Sequence, residues 1–74
     1  MSYSEEILEV LFKSRRWMTT TEVAKETGFS WNTAQGYLED LSNDGYVLHR
    51  KSGNRELWKF NFVKWSKMKR GSIK

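Results

Sequence analysis

Residues 19–45 read TTTEVAKETGFSWNTAQGYLEDLSNDG, and the spacing of polar and apolar groups in this stretch decides the architecture. Thr19 and Glu22 stand at capping-box spacing, in which each side chain satisfies a backbone N–H beside the other, so a helix is expected over about 20–26. Val23 and Ala24 are its inward residues. Thr27-Gly28-Phe29 reads as a turn, because a glycine just past a helix end takes the positive φ that closes it and Phe29 then returns an apolar side chain to the interior. Ser30 caps a longer helix over 31–43, whose Ala34, Leu38 and Leu41 form an apolar stripe with Tyr37 on its border. Gly45 ends it. The pattern is that of paired helices, the second of which offers its first residues to a partner.

Working outward, Ser2 or Ser4 caps a first helix, and Ser2 and Glu5 repeat the capping-box spacing. Ile7, Leu8, Leu11 and Phe12 supply its buried side. Glu5 and Glu6 suit its first turn and Lys13, Arg15 and Arg16 its last, as the helix dipole favours. Trp17-Met18 is an apolar link that can form a small strand. Downstream, 46–50 and 56–62 read as strands around Lys51-Ser52-Gly53-Asn54-Arg55, a five-residue loop. Trp58, Phe60 and Phe62 alternate onto the core face with Val47, and Leu57, Lys59 and Asn61 onto the other.

The order helix, helix, turn, helix, hairpin resembles the winged helix-turn-helix superfamily. The residues that carry the resemblance are Thr20-Thr21-Glu22-Val23-Ala24, Thr27-Gly28-Phe29-Ser30, Asn32-Thr33-Ala34, Leu38-Glu39-Asp40-Leu41 and Asp44-Gly45-Tyr46-Val47. It covers about residues 5–62. It implies an α+β, mainly helical fold: three helices with a two- to three-stranded β-hairpin wing, in a domain spanning 1–62. A basic tail, 63–74, follows as a short helix or a disordered segment. The resemblance further implies a small transcriptional regulator of the prokaryotic, archaeal or viral kind.

Composition narrows the chemistry. Residues 1–45 hold Lys13, Arg15, Arg16 and Lys25 against Glu5, Glu6, Glu9, Glu22, Glu26, Glu39, Asp40 and Asp44, a net charge of −4. Residues 46–74 hold Arg50, Lys51, Arg55, Lys59, Lys64, Lys67, Lys69, Arg70 and Lys74 against Glu56 alone, a net charge of +8. A basic half of that size suits a polyanion. With no Cys and one His, neither disulfides nor an all-protein zinc site is expected. No nucleophile–base pair, carboxylate dyad or phosphate loop is present to carry catalysis, so neither an enzyme nor a cofactor is expected. No apolar run approaches a membrane span and MSYSEEILEV lacks a basic leader, so a cytoplasmic, nucleoid-associated location is expected.

A helix fits the major groove and reaches base edges with its N-terminal residues, here Ser30, Trp31, Asn32, Thr33, Gln35 and Gly36. Asn32 and Gln35 are the expected base readers, because a carboxamide pairs with adenine through two hydrogen bonds. Ser30 and Thr33 suit phosphate, and Ser30 also caps the helix. Trp31 either packs on sugar and thymine methyl groups or covers the wing. Gly36 costs about 1 kcal/mol relative to Ala inside a helix. Either DNA approaches there or helix two packs against it, the second being preferred. In the wing, Arg50, Lys51, Asn54 and Arg55 are expected on the flanking backbone or in the minor groove. Glu39, Asp40 and Asp44 oppose DNA along the whole helix, so only its first turns can enter. Arg15 and Arg16 either add phosphate contacts or complement the first helix.

The resulting expectation is a sequence-specific reader of double-stranded DNA, acting as a homodimer, with no small-molecule ligand evident. Two alternatives remain open at this point. One is a protein-interaction module that uses Trp31 and Tyr37. The other is an RNA or single-stranded DNA binder that stacks bases on the surplus aromatics.

Overall fold

Three hydroxyl side chains start three helices. Ser2, Thr19 and Ser30 accept from the backbone N–H of Glu5, Glu22 and Thr33 at 3.2, 3.1 and 3.2 Å. In the first two, the glutamate returns the bond to the cap's own N–H, at 3.0 Å for Glu5 and 2.9 Å for Glu22. The computed structural model describes residues 2–64 and 66. In it the caps open α1 (Tyr3–Ser14), α2 (Thr20–Thr27) and α3 (Trp31–Asn43). The bond from the Ser2 backbone holds the Glu5 carboxyl below its ordinary range, and the bond from Thr19 does the same for Glu22, assisted by Arg16.

Each helix also has a local stop. Arg15 ends α1 in the left-handed region at φ 56°, with its guanidinium over the Phe12 and Phe62 rings at 5.4 and 5.2 Å. Gly28 ends α2 at φ 80°, a conformation that costs a Cβ-bearing residue energy, and its N–H donates to Ala24 O at 2.9 Å. α3 closes as a Schellman motif: Tyr46 N–H donates to Leu41 O at 2.9 Å and Gly45 N–H to Ser42 O at 3.0 Å.

The sheet has three strands in the order β1 (Met18–Thr19), β3 (Arg55–Phe60), β2 (Val47–Ser52), all antiparallel. β2 and β3 pair from Val47↔Phe60 to Ser52↔Arg55, so the hairpin turns on Gly53-Asn54 alone. This replaces the expected five-residue loop. Gly53 at φ 60° is the only positive-φ residue of the turn, the pattern of a type II′ hairpin whose twist matches its strands. Lys51, Ser52 and Arg55 therefore pair within the ladder. The second strand also stops earlier than expected, because Asn61 accepts from Lys64 N–H at 3.1 Å and donates to Gly45 O at 2.9 Å. Residues 62–64 are helical, and Phe62 packs from this new helix rather than from the strand. Trp65 and 67–74 of the expected tail lie outside the described residues.

The core is one cluster. Ile7 and Leu11 of α1, Val23 and Ala24 of α2, and Ala34, Leu38 and Leu41 of α3 meet Met18, Val47, Trp58 and Phe60 of the sheet. Leu8, Val10, Phe12, Phe29, Tyr37 and Phe62 seal its margin. No described helix is long and apolar enough to cross a membrane.

Candidate nucleic-acid interface

With Ala34, Leu38 and Leu41 buried, α3 turns Asn32, Gly36, Asp40 and Asn43 to the outside at helical spacing. Its first two turns along this side are uncharged, and its last turns are acidic. The Asn32 side chain is exposed, and its amide has no hydrogen-bond partner among the described residues. One turn on, a Cβ built at Gly36 would meet nothing within 4 Å. Helix two therefore does not press on Gly36, and the preferred packing explanation gives way to an open, exposed backbone. Alanine at position 36 is accordingly expected to stabilise the free protein by about 1 kcal/mol. In a domain of this size that raises Tm by about 4–8 °C, readable by thermal unfolding. A lower Tm would mean that the site is more crowded than the geometry indicates.

Ser30 and Thr33 join through their hydroxyls at 2.9 Å. Trp31 is 48% exposed and reaches toward the wing. It lines an open cleft of about 430 Å³ with Thr20 and Thr21 at the head of α2 and Asn54 and Arg55 on the wing. The fold thus brings Trp31, Asn54 and Arg55 together, although they are far apart in sequence.

Gln35 is placed differently from Asn32. Its Oε1 accepts from Thr20 Oγ1 at 2.8 Å, while its Nε2 donates to Glu39 Oε2 at 2.8 Å and Glu56 Oε2 at 3.1 Å. Thr20 in turn accepts from the buried Trp58 Nε1–H at 2.9 Å. Glu56 Oε1 meets His49 Nε2 at 3.0 Å, and the imidazole stacks on the Trp58 ring at 4.3 Å. The circuit returns to where it started. Both ends of the Gln35 amide are engaged within the protein, tying α3 to α2 and to the wing. The sequence carried two signals for this circuit. A buried indole needs an acceptor, and Glu56 is the lone acid of the basic half.

The expected basic wing divides between the two faces of the sheet. Lys51 shares the α3 side with His49 and Glu56, whereas Arg50 and Arg55 alternate onto the outward side. Arg50 is not at the hairpin tip; its guanidinium lies 5.1 Å from the Trp17 ring. Arg15 and Arg16 are also engaged locally, Arg15 over Phe12 and Phe62, and Arg16 with Glu22 at 3.4 Å. Among the described residues no three His, Cys, Asp or Glu side chains gather as metal ligands.

A capped helix-turn-helix, a third helix with an open first half and an antiparallel hairpin beside it define the winged helix-turn-helix class, a fold found in DNA-binding transcriptional regulators. The profile of the M protein trans-acting positive regulator (MGA) HTH domain matches residues 5–53, and the chain belongs to that family. Comparison with curated protein sequences gives no match. Solved structures share the fold at low identity. An ArsR family transcriptional regulator is similar at TM-score 0.74 and 16% identity, over 97% of this chain and 73% of its own. Sso10a-2, a DNA-binding protein from Sulfolobus solfataricus, is similar at TM-score 0.67 and 16% identity, over 99% of this chain and 90% of its own. The Zalpha domain of Carassius auratus PKZ, solved in complex with Z-DNA, is similar at TM-score 0.69 and 19% identity, over 78% of this chain and 90% of its own.

Proposed function

We propose that this chain is a sequence-specific, double-stranded DNA-binding transcriptional regulator of the nucleoid. The observation that carries the reading is the open side of α3, where the free amide of Asn32 stands one turn from the bare backbone of Gly36. A groove can close on that side without displacing any internal contact. The first two turns of α3 enter the major groove, about 11 Å of helix, and the acidic turns beyond them stay outside. Ser30, Thr33 and the exposed Thr21 of α2 face the backbone, while Lys51, Asn54 and Arg55 meet the flanking phosphates. In this reading Gln35 holds the wing and the helix at a fixed angle instead of reading a base. One copy makes few base contacts, so two copies on adjacent half-sites supply the affinity.

The test is binding of the full chain to a randomised duplex pool at two salt concentrations, with the bound fraction sequenced. The expected result is one enriched site whose affinity falls steeply with salt, by close to one unit of log K per log salt for each neutralised phosphate. A palindromic site would mark the dimer. Binding without enrichment would reduce the protein to a nonspecific binder. No binding at either salt would sink the DNA reading and favour a docking module. The observation behind that rival is the surface aromatic group of Tyr3, Phe29 and Tyr37, with ring centroids 4.6 and 5.7 Å from Tyr3.

A further inference from the structure

Strand pairing gives the wing sheet a second face. Val47, Trp58 and Phe60 point into the core and are buried. Alternation therefore sends Leu48 and Arg50 of β2, and Arg55, Leu57 and Lys59 of β3, to the outward side. Thr19 of β1 lies opposite Leu57, so Trp17, just before β1, comes level with Lys59. The Arg50 guanidinium lies 5.1 Å and the Lys59 ammonium 5.9 Å from the centre of the Trp17 ring there. Leu48, 41% exposed, stands next to them. None of these residues is acidic, and Glu56 faces the other way, toward Gln35 and His49.

We propose that this outward sheet face, centred on Trp17 with Arg50 and Lys59 over its ring, is a second nucleic-acid site that holds single-stranded DNA. A duplex presents phosphates on its outside and would set charged backbone against Trp17, Leu48 and Leu57. An unpaired strand presents base faces as well. A base stacks on Trp17 by displacing the exposed Arg50 guanidinium from the ring, and that cation then meets the adjoining phosphate. Lys59 and Arg55 lie four residues apart on one strand, about 14 Å, which suits a short site on the order of 4 nucleotides. Arg55 also lines the cleft beside Trp31, with Glu22 and Glu56, so the face borders the side of the wing that flanks α3. A strand parted from a duplex at α3 passes directly onto it. This last step, which selects DNA over RNA, rests on the duplex reading above; the cationic aromatic face does not.

The experiment measures binding of the full chain to labelled oligo(dT) of about 12 nucleotides, to oligo(U) of the same length and to duplex DNA, near 0.1 M salt. Trp17→Leu keeps apolar bulk but removes the stacking surface, and is expected to weaken oligo(dT) binding about 5- to 100-fold while changing duplex affinity by less than about twofold. The double variant Arg50→Ala, Lys59→Ala removes two cations that lie outside the buried core, so it keeps the inference testable if Trp17→Leu unfolds. It is expected to weaken oligo(dT) binding and lower its salt slope by about 1.4. The inference is overturned if the double variant leaves oligo(dT) binding unchanged, or if duplex and oligo(dT) binding fall equally. Tighter binding of oligo(U) through the same residues overturns the assignment to DNA. Failure of the duplex reading looks different, because no duplex site is then enriched while oligo(dT) binding still depends on Trp17.

Discussion

Thr20→Val is expected to cost about 1–3 kcal/mol of folding stability, although it keeps the shape of the side chain. Thr20 is 4% exposed, and its hydroxyl both accepts from Trp58 Nε1–H and donates to Gln35 Oε1. Valine fills the same space and leaves the indole N–H without an acceptor in the core. The net value of a satisfied hydrogen bond is modest, but a buried donor left alone pays its full desolvation penalty. Thermal unfolding should show a Tm fall of about 4–8 °C for each kcal/mol lost. Thr20→Ser retains the hydroxyl and should recover most of it. A larger loss for Ser than for Val would mean that packing of the Thr20 methyl matters more than the hydroxyl, and the circuit would lose its assigned role.

This circuit matters beyond stability because of what it joins. Thr20 heads α2, Gln35 lies in the first half of α3, and Glu56, Trp58 and His49 belong to the wing. In the proposed duplex complex, Asn32 and the wing tip match one stretch of DNA only if their separation is held, since displacement of a contacting group by about 1 Å already weakens a preorganised site. Gln35 supplies that hold through Glu56 Oε2 at 3.1 Å and Thr20 Oγ1 at 2.8 Å. His49 completes it from the neighbouring strand, stacked on Trp58 with an interplanar angle of 21°.

What could be read in the sequence was local in origin. Capping boxes at Ser2 and Thr19, the Ser30 cap, the Gly28 turn and the apolar stripes each depend on residues within about one or two turns of each other. The fold follows from them. The hairpin is longer than its sequence suggests because Lys51, Ser52 and Arg55 have the composition of a loop, whereas the ladder continues to Ser52↔Arg55 once Gly53 supplies the turn. Asn32 and Gln35 carry the same functional group three positions apart, and nothing local distinguishes them. The difference lies in Thr20 and Glu56, whose side chains reach Gln35 from 15 and 21 residues away. Likewise Arg50 reads as a wing cation until β1 pairs with β3 and brings Trp17 beside it. Gly36 was ambiguous because a missing side chain records a need for space without saying what fills it.

That contrast between the two carboxamides yields the sharper functional expectation. Asn32→Ala removes an exposed amide with no partner among the described residues, so the free protein should keep its Tm within the small spread typical of such surface changes. On the enriched duplex it should cost about 1–3 kcal/mol, the value of one bidentate base contact, or about 5- to 150-fold in affinity. On random duplex the loss should be near zero, because phosphate contacts do not depend on this residue. Gln35→Ala should behave otherwise, lowering Tm and weakening specific and nonspecific binding together as the wing comes loose from α3. Gly36→Ala belongs with Asn32 on this test: it should raise Tm yet weaken the enriched site, since its Cβ projects from the same side of the helix. Titration of each variant against enriched and random duplex, beside its unfolding curve, separates these roles. If Asn32→Ala weakens both duplexes equally, its amide holds the backbone; base selection must then come from the cleft, where Trp31 stands beside Arg55.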